Sequence, residues 1–283
     1  MSAAIRQWRG FAAATRLGWE ISSNWTRPLM FVIYSMLRPL SAAFILVVIY
    51  RFISGGSPGT SAYLAFLVTG VAFWSFVQYG LAGLSNGMVE DRGEYKMLKY
   101  VYTSPAHFYV YLLGRGLAQL ASAVASALIV LVVATVTLRL PIDPLRVNYP
   151  LLIGASLLAL LAVIGIAMAY GMVLLHARDA HGYGELGAEV LYVISGAIFP
   201  ISVLPGVLAT IASLSPLVYW MELIRRSLLG PKAIRMFPAL SDADVFLRLL
   251  VTTAATLILA HLVFGWADRT ARRKGLIDME TNW

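Results

Sequence analysis

The stretch Glu90–Pro105, EDRGEYKMLKYVYTSP, separates two long apolar runs and carries six charges: Glu90, Asp91, Arg92, Glu94, Lys96 and Lys99. Tyr95, Met97, Leu98 and Val101 keep apolar and aromatic surface among them. Between Glu90 and Tyr102 there is no proline and one glycine, Gly93, so the spacing predicts a helix of about three turns over 90–102. Such a segment is too polar for hydrocarbon and too aromatic for a plain connection. It is expected to be a docking element outside the bilayer.

The flanking chain explains why a bilayer is involved. Of 283 residues, 59% are hydrophobic and 13% charged, and the mean hydropathy is +0.76. Apolar runs of about 20 residues recur, the length an α-helix needs to cross roughly 30 Å of hydrocarbon. The expected fold class is therefore an all-α integral membrane protein. The net charge of +8 would suit nucleic acid, but Lys and Arg collect at the ends of apolar runs, as in the positive-inside pattern, and no nucleic-acid partner is expected. The absence of cysteine excludes disulfides, thiol catalysis and Cys-based zinc sites. The first 27 residues hold no signal-peptide apolar region, since FAAA is followed by Arg16 and Glu20.

Taken in order, residues 1–27 form an N-terminal interfacial amphipathic helix, with Ile5, Trp8, Phe11, Ala12 and Trp19 facing lipid and Arg6, Arg9 and Arg16 among headgroups. Residues 28–283 form the transmembrane domain, with spans at 28–53, 62–88, 105–138, 151–175, 184–202 and 246–266. SGGSPGTS and PIDPLRVNYP are far-side turns, and HARDAHGYG is a second polar insert on the side of Glu90. In the third span Arg115 can snorkel, and Gly114, Ala118, Ser122 and Ser126 make a ridge of small residues at helical spacing. Pro200 and Pro205 interrupt the fifth apolar run. The segment 203–230 is then read as two short re-entrant helices, with Glu222 able to pair Arg225 or Arg226 one turn on and fix the hairpin. Six spans put both termini on one side, with Arg6, Arg9, Arg16, Arg92, Lys96, Lys99, Arg272 and Lys274, so that side is the cytosol.

Two groups of residues are candidates for function. Phe73 and Trp74 fall near the bilayer centre, about 15 Å from Tyr63, with Phe66 above and Gln78 one turn below. Phe66, Phe73, Trp74 and Gln78 either line a translocation path or belong to a lipid-facing or packed aromatic helix. Glu185 and Glu189 stand at the start of the fifth span, at the mouth of the path or paired with an arginine. His176, Asp179 and His181 match no common metal-site spacing, so no metal is expected. No Gly-Lys dipeptide occurs, and so no phosphate-cradling P-loop. The chain is not expected to be an enzyme or to hold a cofactor.

Ser195-Gly-Ala-Ile-Phe-Pro-Ile-Ser-Val-Leu-Pro205, followed by Ser215-Pro-Leu-Val-Tyr219 and Arg225, resembles the C-terminal signature of ABC-2 type transporter permeases. Glu90, Gly93 and the Ser104-Pro105 pair followed by YLLGR resemble that family's coupling helix and the start of its third span. The resemblance implies six spans, dimerisation of two permease subunits, and a cytosolic ABC ATPase bound through a coupling helix at 90–102. On that basis Glu90, Asp91, Gly93, Glu94, Tyr95 and Leu98, with His176 and Asp179, are expected to serve ATPase coupling, and Pro200, Pro205, Glu222 and Arg225 to shape the re-entrant segment. The expected activity is ATP-driven export, across the cytoplasmic membrane, of an amphipathic substrate: a lipid-linked glycan, a glycolipid or a hydrophobic drug. An ion-coupled secondary transporter is the alternative, but it would need acids at mid-membrane depth; a membrane-embedded lipid or glycan transferase would need a clustered catalytic His or acid.

Overall fold

The computed structural model describes residues 3–23, 60–104, 107–138, 140–177 and 179–276, with scattered positions between 37 and 52. The expected first span, 28–53, lies almost wholly outside the described residues. Every regular element among them is helical. In chain order these are α1 (Ala3–Ser23), α2 (Thr60–Val77), a π-helical turn (Gln78–Ala82), α3 (Gly83–Gly93), α4 (Leu98–Thr103), α5 (Phe108–Leu138), α6 (Tyr149–Leu174), α7 (Tyr183–Ile194), α8 (Gly206–Leu214), α9 (Pro216–Leu229) and α10 (Asp242–Arg273).

Among the described residues, four helical paths are long and apolar enough to cross a membrane: Ala62–Gly93, α5, α6 and α10. A fifth is reached if α8 and the helix after it, bent by 79°, count as one. Their environments differ. The most apolar window of Ala62–Gly93 is 83% buried inside the chain, that of α10 only 22%. The α2–α3 path is therefore the hub, and α10 a wall whose Leu247, Val251, Ile258 and Leu262 face outward.

Helix α1 lies along α5 at the end of the bundle that carries Gly93. A methyl group on Gly114 would stand 2.6 Å from the Phe11 carbonyl oxygen and 2.8 Å from the Ala14 side chain, and one on Gly18 2.7 Å from the Arg115 carbonyl oxygen. Close backbone approach is thus built from a glycine on each helix. The small-residue ridge expected on α5 is used at Gly114, against α1.

Two sequence expectations are corrected. The helix of residues 90–102 is not continuous: α3 runs on to Gly93, the chain turns through Glu94–Lys96, and α4 is only six residues long. The turn is closed by Glu94 and Tyr95 N–H groups donating to the Glu90 carbonyl (2.8 and 2.9 Å) and by Met97 N–H donating to the Asp91 carbonyl (2.8 Å), with Lys96 left-handed at φ 48°. The fifth span of 184–202 is not one helix either. Helix α7 ends at Ile194 after 12 residues, about 18 Å, with Gly196 just beyond it in the left-handed region at φ 74°, and Pro200 and Pro205 then stand at the starts of the short 3-10 turn at Ile201–Val203 and of α8. Of the two partners open to Glu222 one turn on, it pairs Arg226 (2.7 Å).

That last pairing belongs to α9, a helix buried on all sides although it carries three charges. Ser215 caps its first turn, accepting from Leu217 N–H at 3.3 Å, and Pro216 occupies the first helical position, where no donor is needed. Arg226 also binds Asp242 (2.9 Å) and donates to the carbonyls of Leu240 and Phe237. Glu222 accepts from Met236 N–H at 2.9 Å. Buried charges persist where every polar atom has such partners, and this set ties α9 to the start of α10.

Candidate functional site

At the Gly93 end, the acid pair Glu90 and Asp91 meets Arg115 of α5, whose guanidinium lies 3.2 Å from Glu90 Oε2 and 3.1 Å from Asp91 Oδ1. Tyr111, one turn before Arg115, donates its hydroxyl to Asp91 Oδ2 at 2.7 Å. Arg92 points the other way and donates to the carbonyls of Leu175 and Ala177 (2.8 Å to the latter), at the end of α6. Consecutive charges therefore clamp two different neighbours. Arg115 does not snorkel, because its partners lie inside the bundle.

The clamp holds out a short exposed element. Leu98 of α4 is buried, and Tyr102 donates to Asp268 Oδ1 of α10 at 2.8 Å while Arg272 stacks over its ring at 4.7 Å. Tyr102 also stacks on Phe108 of α5, centroids 4.5 Å apart. Glu94, Lys96, Lys99 and Tyr100 remain on the surface. Of the residues expected at a coupling contact, Asp91 and Leu98 are buried, Glu90 and Gly93 half-buried with Tyr95, and Glu94 exposed.

His176 accompanies Trp266 of α10 in a stacked pair, 5.9 Å between centroids. His181 lies 3.0 Å from Asp179 Oδ1 and 3.4 Å from Glu94 Oε1, joining the α6–α7 connection to the Glu94 turn. Its hydrogen bond with Asp179 raises the imidazole above its ordinary range, and the same contact holds the Asp179 carboxyl low. Among the described residues no group of three or more His, Asp or Glu could hold a metal ion.

Next to the clamp lies a cavity of about 230 Å³. The π-helical turn supplies Gln78 and Tyr79, α3 Asn86 and Glu90, α5 Arg115 and Gln119, and α7 Glu185. Asn86 donates to Glu185 Oε2 at 2.6 Å and Gln78 to Glu189 Oε1 at 3.4 Å. The two acids at the start of α7 are thus met by amides of the α2–α3 path rather than by an arginine. An apolar groove lies on the outer side of α1 and α5, lined by Trp8, Phe11, Trp19, Leu117 and Ala121.

The four path candidates do not converge. Phe66 is buried beneath the Arg225 guanidinium, 3.4 Å from its ring centroid. Phe73 lies edge-on to Trp220 at 6.1 Å and borders an apolar groove of about 660 Å³ between α5 and α6. Trp74 stacks on Tyr192 at 4.8 Å, and Gln78 alone lines the polar cavity. Sequence reasoning missed Asn86 and Gln119 and read Arg115 as snorkelling, whereas it is buried. A usable signal existed, since Arg115 and Gln119 sit one turn apart in an otherwise apolar helix, where polar residues turn inward.

The model of the ABC-2 type transporter family matches residues 16–229, well over half of the chain. The chain belongs to this family. It is therefore the permease component of an ABC transporter and a multi-pass membrane protein, of a kind that usually works with an ATPase partner. No curated protein matches the permease.

Proposed function

We propose that this permease drives export of an amphipathic substrate across the cytoplasmic membrane, powered by a separate ATPase that docks on Glu94–Tyr100. The carrying observation is the pair of opposed clamps, Glu90 and Asp91 on Arg115 and Arg92 on the Leu175 and Ala177 carbonyls. They make the exposed turn rigid with α3, α5 and α6, so a push on the turn moves the hub helix instead of being lost in a floppy loop. In this proposal residues 1–27 form an interfacial unit and 28–283 a six-span domain with cytosolic termini, and two copies assemble, each with an ATPase holding ATP and Mg. The α8–α9 hairpin re-enters the bilayer from the far side. Support for an amphipathic substrate comes from the apolar groove beside α1 and the polar cavity behind it.

Contact is made by Glu94, Lys96, Lys99 and Tyr100, while Asp91 and Leu98 hold those residues in place. Lys99→Glu with Tyr100→Ala is expected to lower transport in proteoliposomes about tenfold, the loss of about 1.4 kcal/mol of contact energy, while the permease keeps its yield and thermal stability. Unchanged transport, or ion-driven uptake by the permease without any ATPase, would overturn the proposal.

A further inference from the structure

We propose that the cavity beside the π-helical turn binds a neutral, hydroxyl-bearing headgroup of the transported amphiphile, a sugar or polyol. The assignment of this cargo to the chain rests on the export function proposed above.

The cavity is built for hydrogen bonding, not for charge. Glu90 is paired with Arg115 (3.2 Å) and Glu185 accepts from the Asn86 amide (2.6 Å), so each carboxylate already holds a hydrogen-bond donor. A cationic head would also meet the Arg115 guanidinium, and an anionic head would meet Glu90 and Glu185. The lining carries amides at Gln78, Asn86 and Gln119; Asn86 donates to Glu185 and accepts from Gly184 N–H (3.1 Å), Gln78 donates to Glu189, and carboxylate oxygens with further lone pairs stand beside them. Arg115 is buried and its Nε–H has no hydrogen-bond partner among the described residues, a donor that costs energy until an acceptor arrives. A hydroxyl satisfies both needs, accepting from guanidinium or amide N–H and donating to carboxylate or amide oxygen.

The backbone around the cavity is also unusual. The π-helical turn Gln78–Ala82 breaks an otherwise α-helical path, and turns of this kind occur disproportionately at functional sites. Here it directs Gln78 and Tyr79 into the cavity wall. Gly83, just after it, keeps Gln119 in place, since a methyl there would stand 2.9 Å from Gln119 Cγ.

The chain contains no cysteine, so single reporters can be placed on a clean background. Ile21→Cys at the cavity rim, or Ala82→Cys if the first folds poorly, is labelled with a maleimide in phosphatidylcholine nanodiscs, a lipid without headgroup hydroxyls. Dodecyl maltoside, dodecyl trimethylammonium and dodecyl sulfate are then added at equal free concentration. The expected result is slowing of labelling by threefold or more with the maltoside alone, abolished by Gln119→Leu. Equal protection by all three, protection by a charged head only, or none, would overturn the assignment. Leu117→Cys in the outer groove should respond to the shared alkyl chain and not to the head. Because the assay needs neither ATPase nor transport, its failure is separate from failure of the export proposal: a permease that couples to an ATPase yet shows no maltoside protection loses only this site.

Discussion

Among the described residues Arg225 is the most deeply buried cation, and no carboxylate lies within ion-pair distance of it. Its Nη2 donates to the Ala197 (2.9 Å) and Phe66 (3.3 Å) carbonyls while its plane covers the Phe66 ring. Gly70 makes the room. A methyl on Gly70 would collide with the Ala197 carbonyl oxygen and stand 2.8 Å from Arg225 Nη2. Gly70→Ala is expected to cost about 1–3 kcal/mol by overpacking, and Arg225→Lys about 2 kcal/mol, because an ammonium cannot stack and fork at once. Thermal unfolding of the purified permease reads both, and an unshifted midpoint for Gly70→Ala would refute the close fit. Lys96 tests the opposite sign. It is left-handed at φ 48°, so Lys96→Gly should relieve roughly 1 kcal/mol of backbone strain, whereas β-branched Lys96→Val should add to it. The Lys96 conformation was not legible in advance, since nothing in GEYKM marks a lysine for the place that glycine usually takes in such a turn.

The Glu94 turn, α4 and the α6–α7 connection form one unit at the Gly93 end, and a histidine joins two of its parts. The His181 imidazole is raised chiefly by its hydrogen bond to Asp179, with Glu94 adding to it. A raised folded value means that this link is fully made below the ordinary imidazole pKa of about 6.5 and is lost as pH rises through the higher folded value. An NMR titration of His181 should therefore give a pKa above the ordinary value, falling toward it in Asp179→Asn and in high salt, because the pair is solvent-exposed. An unmoved titration in Asp179→Asn would show that the contact is idle. The same unit shows where sequence reasoning ends. Its charges and aromatics were legible in EDRGEYKMLKYVYTSP, but the clamps that hold it were not, because they reach Arg115, 25 residues from Glu90, and carbonyls at 175 and 177. A buried ion pair with a distant partner leaves no local periodic signal. Likewise Pro200 and Pro205 marked the interruption of the fifth apolar run, whereas the end of α7 at Ile194 lies before either proline.

At the scale of the permease, the four long helical paths among the described residues follow from apolar length alone, and their boundaries agree with the sequence to within a few residues on most ends. Which path lies at the centre did not follow, since hydropathy is the same signal whether a side chain meets lipid or another helix. Ala62–Gly93, the least apolar of the four, is the hub, because its Gly, Ser, Thr and amide positions can be satisfied only inside protein. Its π-helical turn has a further consequence, for changes in chain length. A π turn accommodates one residue more than the α-helical turn it replaces, while the segments on either side keep their facing. Removing Leu81 should therefore leave Arg225 stacked on Phe66 above and Asp91 against Arg115 below. Removing Val71 or Ser85 should instead swing one half about 100° relative to the other and separate these contacts. Expression and thermal unfolding of the three deletions would read the difference: the hub helix has one place where it can lose a residue without losing its phase.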